Sequence, residues 1–458
     1  MNIIICGAGK VGFSISKQLS VQGHSITVVD QSSELIQKLN ETQDVKGIVG
    51  RATFPSVLEK AGAEDTDMII AVTKNDETNM VICQVAHSIF NITKKIARIR
   101  TQEFLGTKWH KLYGESNLPI DVIISPELEV AKSLQRKLEA PGALDSVPFA
   151  DGKVKVLEIN IGEICPIANK PLSKLTEKFP DLRANILGVI RGDKFVILKK
   201  KDKMLVNDKA FVVVSASQMN TTLSAFGHEE KMAKKILIIG GGNIGFNLAK
   251  NLEADSGGAR VKIIEKDKGR AELIANELNN TIVINGDGLD EDVLKEANIQ
   301  EAETILALTN DDEDNIMLSV LAEKNNPNKR TIALVTKQNY ALLQNSLKID
   351  DLVDPRLTTV STILKHVHKG TIETVYTLLD GEYEFIEAEV LETSELISKS
   401  IKDSGLPEEI RIGAIVRDKN IIIPKSDFKF EKKDLVVFLS KREHLPKVES
   451  LFRISSLI

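Results

Sequence analysis

Close to its start the chain carries three glycines at the spacing G-x-G-x-x-G, directly after an apolar run: Ile3-Ile-Ile-Cys-Gly7-Ala8-Gly9-Lys10-Val11-Gly12. The chemistry such a turn serves is the holding of phosphate. Its first glycine permits a tight strand-to-helix turn, its second lets a pyrophosphate approach the backbone, and its third lets helix and strand pack closely. The free N–H groups of the helix start then face the anion. The same pattern returns at Ile236-Leu-Ile-Ile-Gly240-Gly241-Gly242-Asn-Ile-Gly245.

Side chains around each turn refine the expected ligand. Asp30 closes the next apolar run of the first copy, and Glu265 stands in the same place in the second. A carboxylate there accepts hydrogen bonds from ribose hydroxyls and repels a 2′-phosphate, so NAD or NADH is expected over the NADP forms, with ATP and ADP sharing the same ribose. Lys10 and Arg98 are within reach of phosphate in copy one, whereas their counterparts are Asn243 and Leu334. Copy one is therefore expected to be the better anion site. Thr73 and Lys74, at the end of the fourth expected strand, lie where ligands sit in such sheets, and Thr73 could instead cap the helix beginning near Asp76. Asp76, Glu77 and Asn79 read as helix-start residues or subunit contacts rather than catalytic acids.

The elements that must position these residues repeat as well. Val57-Leu58 and Ala61 recur as Val293-Leu294 and Ala297, and Ala71-Val-Thr73-Lys-Asn-Asp76-Glu77-Thr-Asn79-Met80 recurs as Ala307-Leu-Thr309-Asn-Asp-Asp312-Glu313-Asp-Asn315-Ile316. A short insertion around Ser256-Gly-Gly258 accounts for the small drift in offset. Within a copy, β-branched runs (Ser25 to Asp30, Gly47 to Gly50, Met68 to Thr73, Ile96 to Arg100) alternate with amphipathic stretches, which implies a parallel sheet covered by helices. Leu118 to Ser125 reads as the last strand and Pro126 to Glu139 as a helix leading out. From Lys153 to Val214 the pattern changes to short strands, and this segment also has an echo. Ile186-Leu-Gly188-Val-Ile-Arg191 matches Ile412-Gly413-Ala-Ile-Val-Arg417 with the glycine one register off, and Asp208 matches Asp434. The fold class is therefore α/β, with two Rossmann-like, doubly wound parallel-sheet domains (1–140 and 231–370), each followed by a small α/β domain (141–230 and 371–458).

Composition narrows the function. Hydrophobic residues at 42% and charged residues at 27% are globular values, so long disordered tracts are not expected. Aromatics at 4% and a net charge of −5 remove the stacking platforms and basic footprint of nucleic-acid binding. No signal peptide and no transmembrane segment is read, and Cys6, Cys83 and Cys165 suit neither a disulfide framework nor a zinc site, so a cytosolic protein is expected. Cys6 reads as a small buried hydrophobe. His366 and His368 point to different helix faces and make no metal site, and Lys199-Lys-Lys201-Asp-Lys203 reads as a solvated loop. Lys153 to Val214 offers no compact His, Lys and Tyr constellation, so a sensor rather than an enzyme is expected; a nicotinamide-dependent oxidoreductase is the catalytic alternative.

With Gly50-Arg-Ala-Thr-Phe-Pro-Ser-Val-Leu-Glu-Lys-Ala-Gly62, Asp65-Thr-Asp-Met-Ile-Ile-Ala-Val-Thr73, Asn75-Asp-Glu-Thr-Asn79 and Gly286-Asp-Gly288 added to the glycine turns, the chain resembles the RCK (KTN) regulators of potassium transport along essentially its whole length. That resemblance implies a homo-oligomeric regulatory subunit, peripheral on the cytoplasmic face of the plasma membrane. It would control a potassium-translocating membrane subunit when NAD(H) or an adenine nucleotide binds. Regulation of potassium efflux or of another cation is the alternative within the family. Carried over by matching positions, Gly7 to Val11, Asp30, Thr73, Lys74 and Arg98 would line the first site, and Gly240 to Gly242 with Glu265 the second. Copy one departs from the family where Arg51 stands in place of the acid represented by Asp287, so the resemblance carries no nucleotide contact to that loop.

Overall fold

In the computed structural model, residues 1–452 are described except 115–116, 193, 256–257, 326–328, 345, 368–374, 379–381 and 408. Most of the expected insertion at Ser256-Gly-Gly258, His368 and the expected boundary near residue 370 lie outside the described residues.

The chain opens with β1 (Asn2–Cys6), α1 (Lys10–Val21), β2 (Ser25–Asp30), α2 (Ser33–Thr42), β3 (Lys46–Val49), α3 (Pro55–Lys60), β4 (Met68–Ala71), α4 (Asp76–Ser88), β5 (Lys94–Arg98), α5 (Gln102–Leu105), β6 (Val122–Ile124) and α6 (Pro126–Glu139). Then follow β7 (Asp145–Phe149), β8 (Val154–Asn160), α7 (Ser173–Lys178), β9 (Ala184–Arg191), β10 (Lys194–Val196), β11 (Lys209–Ser215) and α8 (Met219–Ala225). The repeat begins again with β12 (Lys235–Ile239), α9 (Asn243–Ala254), β13 (Arg260–Glu265), α10 (Lys268–Glu277), β14 (Ile282–Asn285), α11 (Glu291–Glu296), β15 (Thr304–Ala307), α12 (Asp312–Asn325), β16 (Arg330–Leu334), β17 (Asp351–Val353) and α13 (Pro355–Lys365). It closes with β18 (Val375–Leu378), β19 (Tyr383–Glu389), β20 (Arg411–Arg417), β21 (Asn420–Ile422), β22 (Leu435–Lys441) and α14 (Leu445–Phe452).

These elements gather into two units, one of residues 1–135 with 233–366 and the other of residues 136–232 with 367 onward. Like modules of the two repeats thus share a unit. In the first, the sheet orders are β3-β2-β1-β4-β5-β6 and β14-β13-β12-β15-β16-β17, with every pairing parallel. Ile3 to Cys6 and Met68 to Ala71 are buried along their whole length because helices cover both faces of the sheet, hence continuous apolar runs instead of alternation. Ser32 and Asp267 start the helices after the second strands by accepting from Leu35 N and Arg270 N. The strand expected over Leu118 to Ser125 is confined to β6, because Pro119 removes a donor at the sheet edge and Leu118 bridges Tyr113 instead. Across the repeat, α13 packs on α1.

Each small module in the second unit is an antiparallel sheet, β10-β9-β11-β8-β7 and β18-β19-β22-β20-β21, with the same topology. Asp208 and Asp434 take Arg191 and Arg417 in matching two-pronged ion pairs. β9 and β20 each carry a register shift against the strand beside them at equivalent positions, skipping Leu187 in one and Gly413 in the other, so the two bulges coincide although the glycines do not. One core joins the sheets, with Phe149, Phe211 and Val213 against Phe385, Val437 and Leu439. Asn185 Nδ2 donates to the Ile412 carbonyl at 2.9 Å and Ala150 N–H donates to Glu387, so polar groups are paired across this apolar contact.

Candidate functional site

The sheet of the first repeat reverses its strand order between β1 and β4, the place where ligands of such sheets sit. Gly7, at φ +114°, makes the turn out of β1, and a side chain there would press on the Val72 carbonyl at 3.0 Å. A Cβ on Gly12 would lie 1.8 Å from the Gly7 carbonyl oxygen, so this glycine lets α1 close on the turn. Gly9 has nothing within 4 Å of its absent Cβ; it leaves the backbone open to the cleft.

That cleft has a volume of about 460 Å³. Of the expected residues, Gly7, Gly9, Lys10, Val11, Asp30, Thr73, Lys74 and Arg98 line it. Ala8 and Gly12 are buried behind the turn: Ala8 N–H donates to Asp30 Oδ2 at 2.6 Å, while Asp30 Oδ1 accepts from Ser32 N at 2.8 Å. The carboxylate therefore fastens the glycine turn to the start of α2. Thr73 does not cap α4. Its hydroxyl donates to Asn79 Oδ1 at 2.7 Å, and the fully buried Asn79 also accepts from Thr73 N and donates to the Arg98 carbonyl. Asp76, at the first position of α4, accepts from Arg100 N and Thr101 N, tying that helix to the end of β5.

Sequence reasoning missed three cations of this cleft. Arg51, Arg100 and Arg356 line it together with Lys10, Lys74 and Arg98, against the single carboxylate of Asp30. Arg51 follows the glycine at the end of β3, so the loop to which the resemblance carried no contact does border the cleft. Arg98 is 6% exposed; its Nη2 donates to the Thr73 carbonyl at 2.5 Å, and its Nε is buried without a partner. Burial, with Arg100 beside it, pushes the Arg98 guanidinium down to about 10, so it is still charged at neutral pH. Burial also raises the Glu127 carboxyl above its usual range, although Arg100 and Arg98 pull it back.

The second repeat builds a cleft of about 310 Å³ at the equivalent place. Gly240, Gly242 and Glu265 line it. Gly241 and Gly245 do not: Gly241 N–H donates to Glu265 Oε2 at 2.7 Å, and Gly245 packs against the Gly240 carbonyl. Asn243 and Leu334 stand where the first copy has Lys10 and Arg98, but this cleft draws a basic side chain from another element. Arg270, in the first turn of α10 where copy one has Leu35, donates from Nε to the Gly241 carbonyl at 2.9 Å and lies over the Phe246 ring. It stands outside the glycine motif, and only alignment of the two second helices would have found it. Even so, Glu265, Asp267, Asp287 and Asp314 outnumber Lys266 and Arg270 around the cleft, and Lys266 is paired with Asp287 at 2.7 Å.

Asn315 and Asp312 repeat the struts of Asn79 and Asp76 on Thr309, Leu334, Thr336 and Lys337. The cysteines are free and buried, and burial pushes the Cys83 thiol up to about 12. Two glycine-turn clefts at strand switch points, each with an acid clamping its turn, define a protein with tandem Rossmann-type domains. Residues 3–126 and 236–355 match the TrkA-N domain family, and residues 156–227 and 385–453 the TrkA-C domain family. The chain belongs to the family of Trk system potassium uptake proteins TrkA. It is 44% identical to the TrkA protein of Azorhizobium caulinodans, with 99% of each chain covered, and 36% identical to that of Vibrio alginolyticus, again over 99% of each. Among solved structures it is similar in fold to the GsuK RCK domain (TM-score 0.61, 18% identity, 99% of this chain and 95% of that one). It is also similar to the GsuK channel bound to NAD (TM-score 0.61, 17% identity, 99% and 79%).

Proposed function

We propose that the chain is a regulatory subunit of potassium uptake that binds NAD(H) or an adenine nucleotide in its Rossmann clefts and thereby controls a membrane Trk-type potassium-translocating subunit. The observation that carries this reading is the first cleft: an open glycine turn at a strand switch point, lined by six cations and the carboxylate of Asp30. The relatives' name supplies potassium uptake as the process.

Such a protein works by population shift. Ligand that prefers one arrangement of the Rossmann halves pulls the equilibrium toward it, and only differential affinity does so. A coupling of about 1–3 kcal/mol corresponds to a roughly 5- to 150-fold difference in affinity between the two states. Among the described residues no helix is long and apolar enough to cross a membrane, so ion passage falls to a partner. We place the chain as a homo-oligomer on the cytoplasmic face of the membrane. Calorimetry with NADH and ATP, together with potassium uptake in cells lacking the gene, tests the proposal. Binding of either nucleotide and impaired uptake are expected; no binding and unchanged uptake would sink it. Turnover of NADH with a substrate would replace it by an oxidoreductase.

A further inference from the structure

Of the cations around the first cleft, one is foreign to the first repeat. Arg356 belongs to the second, at the start of α13, yet it lines the cleft formed by the first repeat's glycine turn. Its helix packs on α1, whose N-terminus is the turn itself. The guanidinium is held two-pronged by Asp354, with Nε to Oδ1 at 3.0 Å and Nη2 to Oδ2 at 2.7 Å, and Asp354 also caps α13 by accepting from Arg356 N. An arginine carries five N–H donors, and this pairing employs two of its nitrogens.

We propose that Arg356 completes the phosphate-binding wall of the first repeat's cleft, so that an adenine nucleotide bound there ties α13 of the second repeat to α1 of the first. This rests on the nucleotide reading of the cleft given above. The chemistry favours it in two ways. The cleft is lined by six cations and one carboxylate, and even with Asp354 pairing Arg356 and Glu127 lying 4.0 Å from Arg100 the positive surplus suits a triphosphate better than the two phosphates of NADH. In addition, the Arg98 guanidinium belongs to the same wall, held there by the Thr73 carbonyl at 2.5 Å. Phosphate competes with Asp354 for a fork-shaped cation, so the ion pair sets how strongly the nucleotide engages the second repeat. The position equivalent to Arg356 in the first repeat is Glu127, an acid, so the link runs in one direction only.

The two partners give opposite signs. In the full chain, Arg356→Gln is expected to weaken ATP binding about tenfold and NADH binding about twofold, whereas Asp354→Asn, which keeps a capping side chain, is expected to tighten ATP. Amide exchange over residues 355–365 should slow with ATP in the wild type and not in Arg356→Gln. Lys10→Gln serves as the control within the first repeat. If Lys10→Gln weakens ATP while Arg356→Gln changes neither affinity nor exchange, the role of Arg356 is refuted and the nucleotide site stands. If the wild type binds neither ATP nor NADH, the nucleotide reading itself falls, and this inference with it.

Discussion

Asp30 and Glu265 do the same work in the two repeats, each accepting two backbone N–H groups and clamping a glycine turn to the helix that follows the second strand. What differs is their company. Asp30 is the lone acid among cations, while Glu265 shares its cleft with three other acids. The two sites are therefore expected to differ in affinity. In NADH titrations, Asp30→Ala should lose the tighter phase and Glu265→Ala should leave it; equal losses would count against unequal sites. Asn79 is a purely structural counterpart. Fully buried, it satisfies groups at the ends of β4 and β5, so Asn79→Ala strands several of them and is expected to cost about 2–4 kcal/mol of stability. Urea unfolding measures this, and a loss below about 0.5 kcal/mol would show the network to be dispensable.

At the scale of the strand-turn-helix element, the glycines divide their labour. Gly12 is a packing glycine, since a methyl group there meets the Gly7 carbonyl well inside contact distance. Gly9 faces open space. Gly12→Ala should therefore destabilise the first Rossmann domain by several kcal/mol, or prevent its folding. Gly9→Ala should fold with an unchanged melting temperature yet bind nucleotide at least tenfold more weakly, because its methyl group occupies the path of the phosphate. Melting curves and calorimetry on the pair check the division, and a Gly9→Ala protein with native affinity would contradict it. The same element explains why the second copy's basic group was overlooked: Arg270 reaches the turn from the neighbouring helix, not from within the motif.

For the molecule as a whole, each unit is assembled by pairing equivalent modules of the two repeats. In the second unit the paired sheets share one apolar core, and β19, whose Phe385 contributes to it, also carries the fully buried Glu384. Burial pushes that carboxyl up to about 7, with Arg442 pulling the other way. The folded state then holds a proton that the unfolded state releases at ordinary carboxyl pH. The stabilisation from this group is thus complete below about pH 4.3 and is lost as pH rises toward 7. About 3–4 kcal/mol is at stake. Glu384→Gln should flatten the decline in unfolding free energy between about pH 4.3 and pH 7, and an unchanged slope would assign the pH dependence elsewhere.

Local chemistry made the duplication, the two glycine turns, the acids at the ends of the second strands and the α/β class readable from sequence, because turn residues and hydrophobic periodicity are short-range signals. Most of the first cleft's expected residues follow from that, since Gly7, Gly9, Lys10, Asp30 and Thr73 all sit at strand ends or turns whose place in the sheet is set by the βαβ rhythm. Tertiary structure alone decided the rest. Arg356 meets the first cleft only because α13 packs on α1 of the other repeat, and Phe211 meets Phe385 only because like modules associate. Both contacts join residues more than a hundred positions apart, and no spacing along the chain records which faces bury one another.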